Sequence, residues 1–283
     1  LSSAASDVYK RQVEDHMPAE ANEAAPADWP LTLARVYEFA TTAPLEEISF
    51  ILEAARMNRQ VAEEGLSSQY GLGVGKSMDA RVRKHILSDD LPTFAIRLTA
   101  AAADARMAGV MMPVMSNSGS GNQGITATLP VVVYGQECGA TEEQMIRALT
   151  LSHLTVIYIK QSLGRLSALC GCVVAATGSS CGITYLMGGG YGQAAAAVKN
   201  MIANLTGMIC DGAKPSCALK ISSGVSTAIL SALLAMEGKC VSSAEGIIDD
   251  CVDRSIHNLT SIGAEAMRAT DDMVLNIMTH KGC

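Results

Sequence analysis

Cysteine is the residue type in this chain best suited to metal chemistry, and all nine copies lie at or after position 138. Two groups differ from ordinary buried thiols: Cys170-Gly-Cys172, in a stretch without charge, and the pair that bounds the segment CDGAKPSC (residues 210–217). That segment follows one predicted helix and precedes another, and a helix N-terminus stabilises a thiolate such as Cys217. Glycine-rich backbone at both places lets several thiolates approach one centre.

The spacing of these cysteines limits the choice of metal. A zinc site normally takes four ligands in two close pairs, such as two C-x2-C motifs, and that pattern does not occur here. Three widely spaced thiolates suit a [4Fe–4S] cluster that leaves one iron open to substrate. Spacing alone does not decide between a ligand and a small buried hydrophobe for Cys210 and Cys217. We expect the hydrophobic role for four others, which are Cys138, Cys181, Cys240 and Cys251.

A serine- and glycine-rich segment, SNSGSGNQG (residues 116–124), is the second candidate for chemistry. It lacks the Gly-Lys-Ser/Thr continuation of a phosphate-binding P-loop. Backbone amides and hydroxyls in such a segment can hold a carboxylate, although its composition also fits a plain turn. The candidate substrate-binding residues are therefore Ser118, Gly119, Ser120 and Asn122.

Acid–base candidates lie on one predicted helix. His153 has apolar neighbours, so a hydrogen-bonded core histidine competes with a catalytic role. Lys160 follows an apolar run and could pair with a carboxylate. Asp211, next to Cys210, could orient a metal ligand or cap the following turn. The sequence does not identify the base among these residues.

Helical patterns dominate the elements that must position these residues, and they predict a mainly α, single all-helical domain. Apolar residues recur with helical period after Pro44, and Thr141 with Gln144 forms a capping box. The run 131–134 could be a strand, but its surroundings favour a helix. Further helices are predicted over 96–109, 194–208, from Pro215 or Ser216 to Leu234, and over 244–259, the last capped by Ser242 with Glu245.

Between Arg165 and Lys199 the chain has no charged residue, a length that would suit a membrane span. Its apolar residues are mostly small, and no aromatic belt brackets it. We therefore predict two buried helices, separated by a break at 188–190, and no membrane association.

Composition excludes several classes of protein. Hydrophobic residues make up 49% of the chain and aromatic residues 4%, which suits closely packed helices with an aliphatic core. A net charge of −7 without a basic cluster argues against nucleic acid and anionic membrane partners. The odd cysteine count and the lack of a secretory signal pattern predict reduced thiols in the cytoplasm.

Three stretches together resemble a known family: SGSGNQG (118–124), LSHLTVIYIKQSLGRLSALCGC (151–172) and NLTGMICDGAKPSCALK (204–220). They resemble the alpha domain of the L-serine dehydratase-like family, and within it the iron–sulfur L-cysteine desulfidases. The resemblance implies a [4Fe–4S] cluster on Cys170, Cys210 and Cys217, which are 40 and then 7 residues apart. Cys172 is an alternative first ligand, and Cys283 could serve as a fourth by its position at the end of the chain.

The resemblance also implies an activity, the elimination of H2S from L-cysteine to give pyruvate, ammonia and sulfide. L-serine dehydration and a non-catalytic iron–sulfur module are the alternatives. A small amino acid is then the expected partner, and homodimer formation stays open.

The sequence also predicts the domain boundaries. They are a non-native leader over 1–12, a flexible linker over 13–30, and a helical iron–sulfur domain over 31–283. The desulfidases carry a cysteine near their N-terminus, whereas no cysteine precedes Cys138 in this chain. The N-terminal part of the family is therefore expected to be missing.

Overall fold

The computed structural model describes residues 31–164 and 167–281. The expected leader and linker, and the tail cysteine Cys283, lie outside the described residues. The α-helices, in chain order, are α1 (Leu33–Thr42), α2 (Leu45–Ile48), α3 (Leu52–Ser67), α4 (Val74–Arg83), α5 (Leu91–Met107), α6 (Gly121–Glu137), α7 (Glu142–Leu163), α8 (Gly171–Leu186), α9 (Tyr191–Leu205), α10 (Cys217–Met236), α11 (Val252–Ser261) and α12 (Arg268–Thr279). The described residues contain no strand, only two isolated bridges. The predicted mainly α, single all-helical domain is confirmed.

Local signals place several of these helices where the sequence predicts them. Thr141 and Gln144 form the capping box at the start of α7, with Gln144 N–H donating to Thr141 Oγ1 over 3.2 Å. The apolar residues after Pro44 form α2, a short 3-10 turn and α3. The run 131–134 lies inside α6, so the helical interpretation is confirmed.

Helix α8 is the centre of the fold, because α6, α7, α9 and α10 all pack on it. A Cβ on Gly178 would lie 2.4 Å from the Ser152 carbonyl oxygen, and one on Gly182 would lie 2.8 Å from that of Ala148. Residue numbers rise along α8 as they fall along α7, so these two helices are antiparallel. The C-terminal end of α7 therefore lies at the N-terminal end of α8.

The charge-free segment forms two helices, as predicted. Helices α8 and α9 are separated by a break in which Gly188 has a φ of +84°, a conformation that glycine adopts without a Cβ penalty. By length and composition, α10 could cross a membrane, but half of its most apolar 18-residue window is buried inside the protein. A buried core helix has the same properties.

One helix prediction was wrong, and two helices were not predicted. Ser242 does donate to the Glu245 carboxylate, over 3.1 Å, but this bond closes a turn instead of starting a helix over 244–259. Helix α11 begins at Val252, since the Cys251 N–H donates to the Asp249 carboxylate over 2.8 Å and ends the preceding turns. The sequence reading also missed α1 and α4, which are short.

Close packing of α3 on α5 gives a stability prediction. A Cβ on Gly65 would lie 2.1 Å from the Ala101 carbonyl oxygen, which is backbone and cannot rotate away. We expect Gly65→Ala to lower the free energy of unfolding by about 1–3 kcal/mol. The matched change Gly192→Ala, at an exposed helical position with nothing within 4 Å, should raise it by up to about 1 kcal/mol. Chemical denaturation measures both, and equal effects would contradict the packing argument.

Candidate functional site

A short backbone pairing brings two of the predicted ligands together. Leu169 and Ile209 form an isolated antiparallel bridge. The Cys170 N–H donates to the Met208 carbonyl over 2.9 Å, and the Cys210 N–H donates to that of Ala168 over 2.6 Å. Side chains alternate between the two faces of an extended chain, so Cys170 and Cys210, each one residue past the bridge, share a face. Two cysteines 40 positions apart in the sequence are thus brought together by one backbone pairing.

Four cysteine thiols influence one another electrostatically at this place. A hydrogen bond from Cys172 lowers the pKa of Cys170 to about 6, although burial opposes it. The same bond, burial and the charges of Cys170, Cys217 and Cys210 hold the pKa of Cys172 well above its usual value. Burial, followed by the charge of Cys170, raises the pKa of Cys210. The predicted ligands and Cys172 therefore lie within electrostatic range of one another.

Helix N-termini face this group of thiols. Cys170 is the N-cap residue of α8, and Cys217 is the first residue of α10. The partial positive charge of a helix N-terminus stabilises thiolates. The Cys217 Sγ lies 3.7 Å from the Gly212 carbonyl oxygen, so the segment 210–217 folds back on itself.

The chemistry of the donors, buried or half-buried thiols, is that of iron–sulfur cluster ligands. Within residues 31–164 and 167–281, no three His, Cys, Asp or Glu side chains are arranged to hold a single metal ion. An iron–sulfur cube takes each thiolate at a different corner, so its ligands are spread more widely than those of one ion. Buried thiols on irregular backbone at two helix N-termini fit that requirement. Cys170 and Cys172 share one hydrogen bond, and both stay candidates for the first ligand.

Three lysines supply positive charge near the thiols. Lys160 lies in the last turn of α7 and is 8% exposed. Burial lowers its pKa, while the charges of Cys210 and Cys170 act in the opposite direction. Lys220 donates to the Ile209 carbonyl over 2.7 Å and pairs with Asp211. Lys214 also pairs with Asp211, which thereby ties the segment between Cys210 and Cys217 together.

The predicted substrate loop is a two-residue turn at the start of α6. Asn117 and Ser120 exchange backbone hydrogen bonds of 3.1 and 3.0 Å. Ser118 has a φ of +49° and Gly119 a φ of +79°, the pattern of the tightest hairpin turns. A left-handed serine costs about 1–2 kcal/mol, and such strain concentrates at functional sites. Ser120 then caps α6 by accepting the Gln123 N–H.

Arg106 is a candidate site residue that the sequence reading missed. Its Nη1 donates to Asn122 Oδ1 over 3.2 Å, and a Cβ on Gly121 would lie 2.2 Å from its Nε. The guanidinium therefore crosses the N-terminus of α6, where it adds to the attraction for an anion. Only its position at the end of a small-residue helix could have suggested this role.

His153 is part of a buried hydrogen-bond network under the loop. Its Nδ1 lies 3.1 Å from Asn117 Nδ2, and its Nε2 lies 2.9 Å from Thr128 Oγ1. Because Asn117 Nδ2 can only donate, Nδ1 accepts, and Nε2 carries the proton of a neutral imidazole. Asn117 Oδ1 in turn accepts the Ser118 hydroxyl over 2.8 Å. His153 thus holds Asn117, and through it Ser118, in position, and it has the surroundings of a core histidine.

This network predicts a pH dependence of stability. Burial lowers the pKa of His153 to about 4, so the unfolded chain binds the proton more tightly than the folded one. Neutral His153 contributes up to about 3 kcal/mol to the free energy of unfolding. This contribution is complete above about pH 6.5 and is lost as the pH falls towards 4. Buried Asp104, whose pKa is raised to about 6, changes stability in the opposite sense. We therefore expect the difference between wild type and His153→Gln, measured by chemical denaturation, to shrink from pH 7 to pH 4. A constant difference would contradict it.

Gln123 connects the loop to the cysteines. It is the third residue of α6, and a Cβ on Gly171 would lie 2.8 Å from its Nε2. Gly171 stands between Cys170 and Cys172 at the start of α8. The N-termini of α6 and α8 therefore meet, and the substrate-loop candidates lie beside the ligand candidates. No pattern in the sequence singled out Gln123, because its importance arises from this contact.

The sequence identifies the family to which this helical, cysteine-bearing protein belongs. A profile described as "Serine dehydratase alpha chain" matches residues 5–276, and the chain is a member of that family. The resemblance inferred from the three motif stretches is confirmed at this level.

Similar curated proteins carry only the designation UPF0597. One from Bacteroides fragilis is 67% identical over 253 residues, which are 89% of this chain and 59% of that protein. One from Phocaeicola vulgatus is 68% identical over 254 residues, again 89% and 59%. One from Aeromonas hydrophila is 47% identical over 269 residues, 95% of this chain and 62% of that protein. The chain spans about three fifths of the length of these relatives.

Proposed function

We propose that this chain carries the [4Fe–4S] site of a lyase that eliminates H2S from L-cysteine, giving pyruvate, ammonia and sulfide. The supporting observation is the meeting of four cysteine thiols with a serine- and glycine-rich loop where two helix N-termini converge. Membership of the serine dehydratase alpha-chain family supports lyase chemistry in general. We propose, in addition, that the leaving group is a thiol and that the whole protein is catalytically active.

In this proposal Cys170, Cys210 and Cys217 would hold the cluster, which would supply a Lewis acid for the leaving group. The loop residues Ser118, Gly119, Ser120 and Asn122 bind the substrate carboxylate through backbone amides and hydroxyls. Arg106, across the start of α6, strengthens the attraction for that carboxylate.

Lys160 is the proposed base. Its amine is buried within electrostatic range of Cys170 and Cys210, and burial lowers its pKa, which increases the neutral fraction that can accept the α-proton. His153 is a weaker candidate, since both of its ring nitrogens are engaged in the network beneath the loop. Its proposed part is to position Asn117 and Ser118.

L-serine dehydration is the second candidate, favoured by the name of the family. The same residues would serve it, with water as the leaving group. Reduced thiols are required in either case. All the cysteines of the described residues are free thiols, which suits the cytoplasm as the proposed location.

The proposal is tested by anaerobic reconstitution of the chain with iron and sulfide, followed by incubation with L-cysteine or L-serine. We expect bound iron and labile sulfide at about four each per chain, and pyruvate formed with an equal amount of sulfide from L-cysteine. Pyruvate from L-serine alone would favour the second candidate. A loaded chain that forms pyruvate from neither substrate, in a preparation where a full-length relative does, would limit this chain to a cluster-binding part.

A further inference from the structure

Gln123 has a buried polar atom that the fold does not satisfy. The residue is 7% exposed, and its Oε1 has no hydrogen-bond partner in the part of the chain that the structure describes. An unpaired buried carbonyl oxygen is destabilising, so such atoms usually have a partner in the functional state. The partner must be a donor, because Oε1 can only accept.

The position of Gln123 limits what that donor can be. On one side of Gln123 is the turn Asn117–Ser120, which leads directly into α6, the helix that carries Gln123. On the other side is Gly171, flanked by Cys170 and Cys172. An amino acid whose carboxylate lies on the turn and whose β-substituent points to the cysteines presents its α-carbon between these two ends. The group attached to that carbon is the ammonium, which has three N–H donors.

A neutral acceptor suits this place. A carboxylate there would lie beside thiolates and beside the bound substrate's own carboxylate, and like charges at short range repel. A carboxamide accepts from the ammonium without adding negative charge.

We propose that Gln123 Oε1 accepts a hydrogen bond from the α-ammonium group of the substrate and selects α-amino acids over acids that lack this group. The inference rests on the proposed function in taking an amino acid as the ligand. It adds a substrate-binding residue outside the predicted loop set.

The test compares two ligands that differ only in the α-amino group, L-2-aminobutyrate and butyrate. Both carry a carboxylate, and neither has a thiol or hydroxyl to eliminate, so anaerobic calorimetry on the cluster-loaded chain measures binding without turnover. In Gln123→Met the acceptor is lost at nearly constant length. We expect the dissociation constant of L-2-aminobutyrate to rise about 10- to 100-fold and that of butyrate to stay unchanged.

Two further variants guard against a general structural effect. Gln136→Met, at the exposed C-terminal end of the same helix, should leave both constants unchanged. Gln123→Glu keeps an acceptor of the same shape, so it should retain the preference for L-2-aminobutyrate while weakening butyrate by repulsion. Equal losses of both ligands in Gln123→Met, or a lost preference in Gln123→Glu, would overturn the inference.

Binding and turnover separate this inference from the proposed function. If wild type binds L-2-aminobutyrate in a Gln123-dependent way but forms no pyruvate, the inference stands and the proposed function fails. If L-cysteine is turned over and Gln123→Met leaves L-2-aminobutyrate binding intact, the proposed function stands and the inference fails.

Discussion

Replacing Cys210 by serine is expected to reduce bound iron and labile sulfide from about four to below one per chain after anaerobic reconstitution. A serine hydroxyl does not ionise at neutral pH and is a poor iron ligand, so two thiolates would remain for a cluster that needs three. Cys217→Ser and Cys170→Ser should have the same effect. Iron and sulfide analysis with visible absorption measures it, and lyase activity should fall in parallel.

Cys172→Ser separates the two choices for the first ligand. The family resemblance places the first ligand at Cys170, so we expect the replacement of Cys172 to leave most of the iron bound. The matched control is Cys181→Ser, another buried cysteine of α8, which should also retain the cluster. Loss of iron in Cys172→Ser with retention in Cys170→Ser would reverse the assignment. Retention in all four single variants would contradict a cluster at this site.

Lys160→Met is expected to lower kcat by about 10²- to 10⁴-fold with bound iron unchanged, the range of a lost general base. The physical reason is a buried amine beside Cys170 and Cys210 whose pKa burial lowers. Activity of the wild type should rise with pH as this amine loses its proton, and that rise should be absent from the residual activity of the variant. Steady-state kinetics on L-cysteine over a range of pH measures both quantities.

Lys160→Arg distinguishes a base from a counter-ion. Arginine keeps the positive charge but does not give up its proton, so a base would lose activity while a counter-ion would keep it. Lys239→Met, at an exposed position, is the control and should be neutral. Loss of iron in Lys160→Met, with recovery of both iron and activity in Lys160→Arg, would show that the residue only balances thiolate charge.

The helical class and the ends of several helices were predictable because they depend on neighbours in sequence. The capping box at Thr141, the break at Gly188 and the helical period after Pro44 each act within a few residues. The wrong prediction over 244–259 shows the limit of such signals. Ser242 and Glu245 make the expected bond, yet Asp249 ends the turns that follow and delays the helix to Val252.

By itself, the sequence determined the family, the all-helical class, the candidate thiols and the serine- and glycine-rich loop, since residue types and local spacing carry that information. Only the tertiary structure decided how these parts meet. The bridge between Leu169 and Ile209 joins Cys170 to Cys210, and the contact of Gln123 with Gly171 joins the loop to the thiols. These contacts link residues about 40 to 50 positions apart and depend on helices that pack closely enough to exclude a Cβ. No short-range pattern encodes such a distance, so the functions proposed for Gln123 and Arg106 could be inferred only from the packed helices.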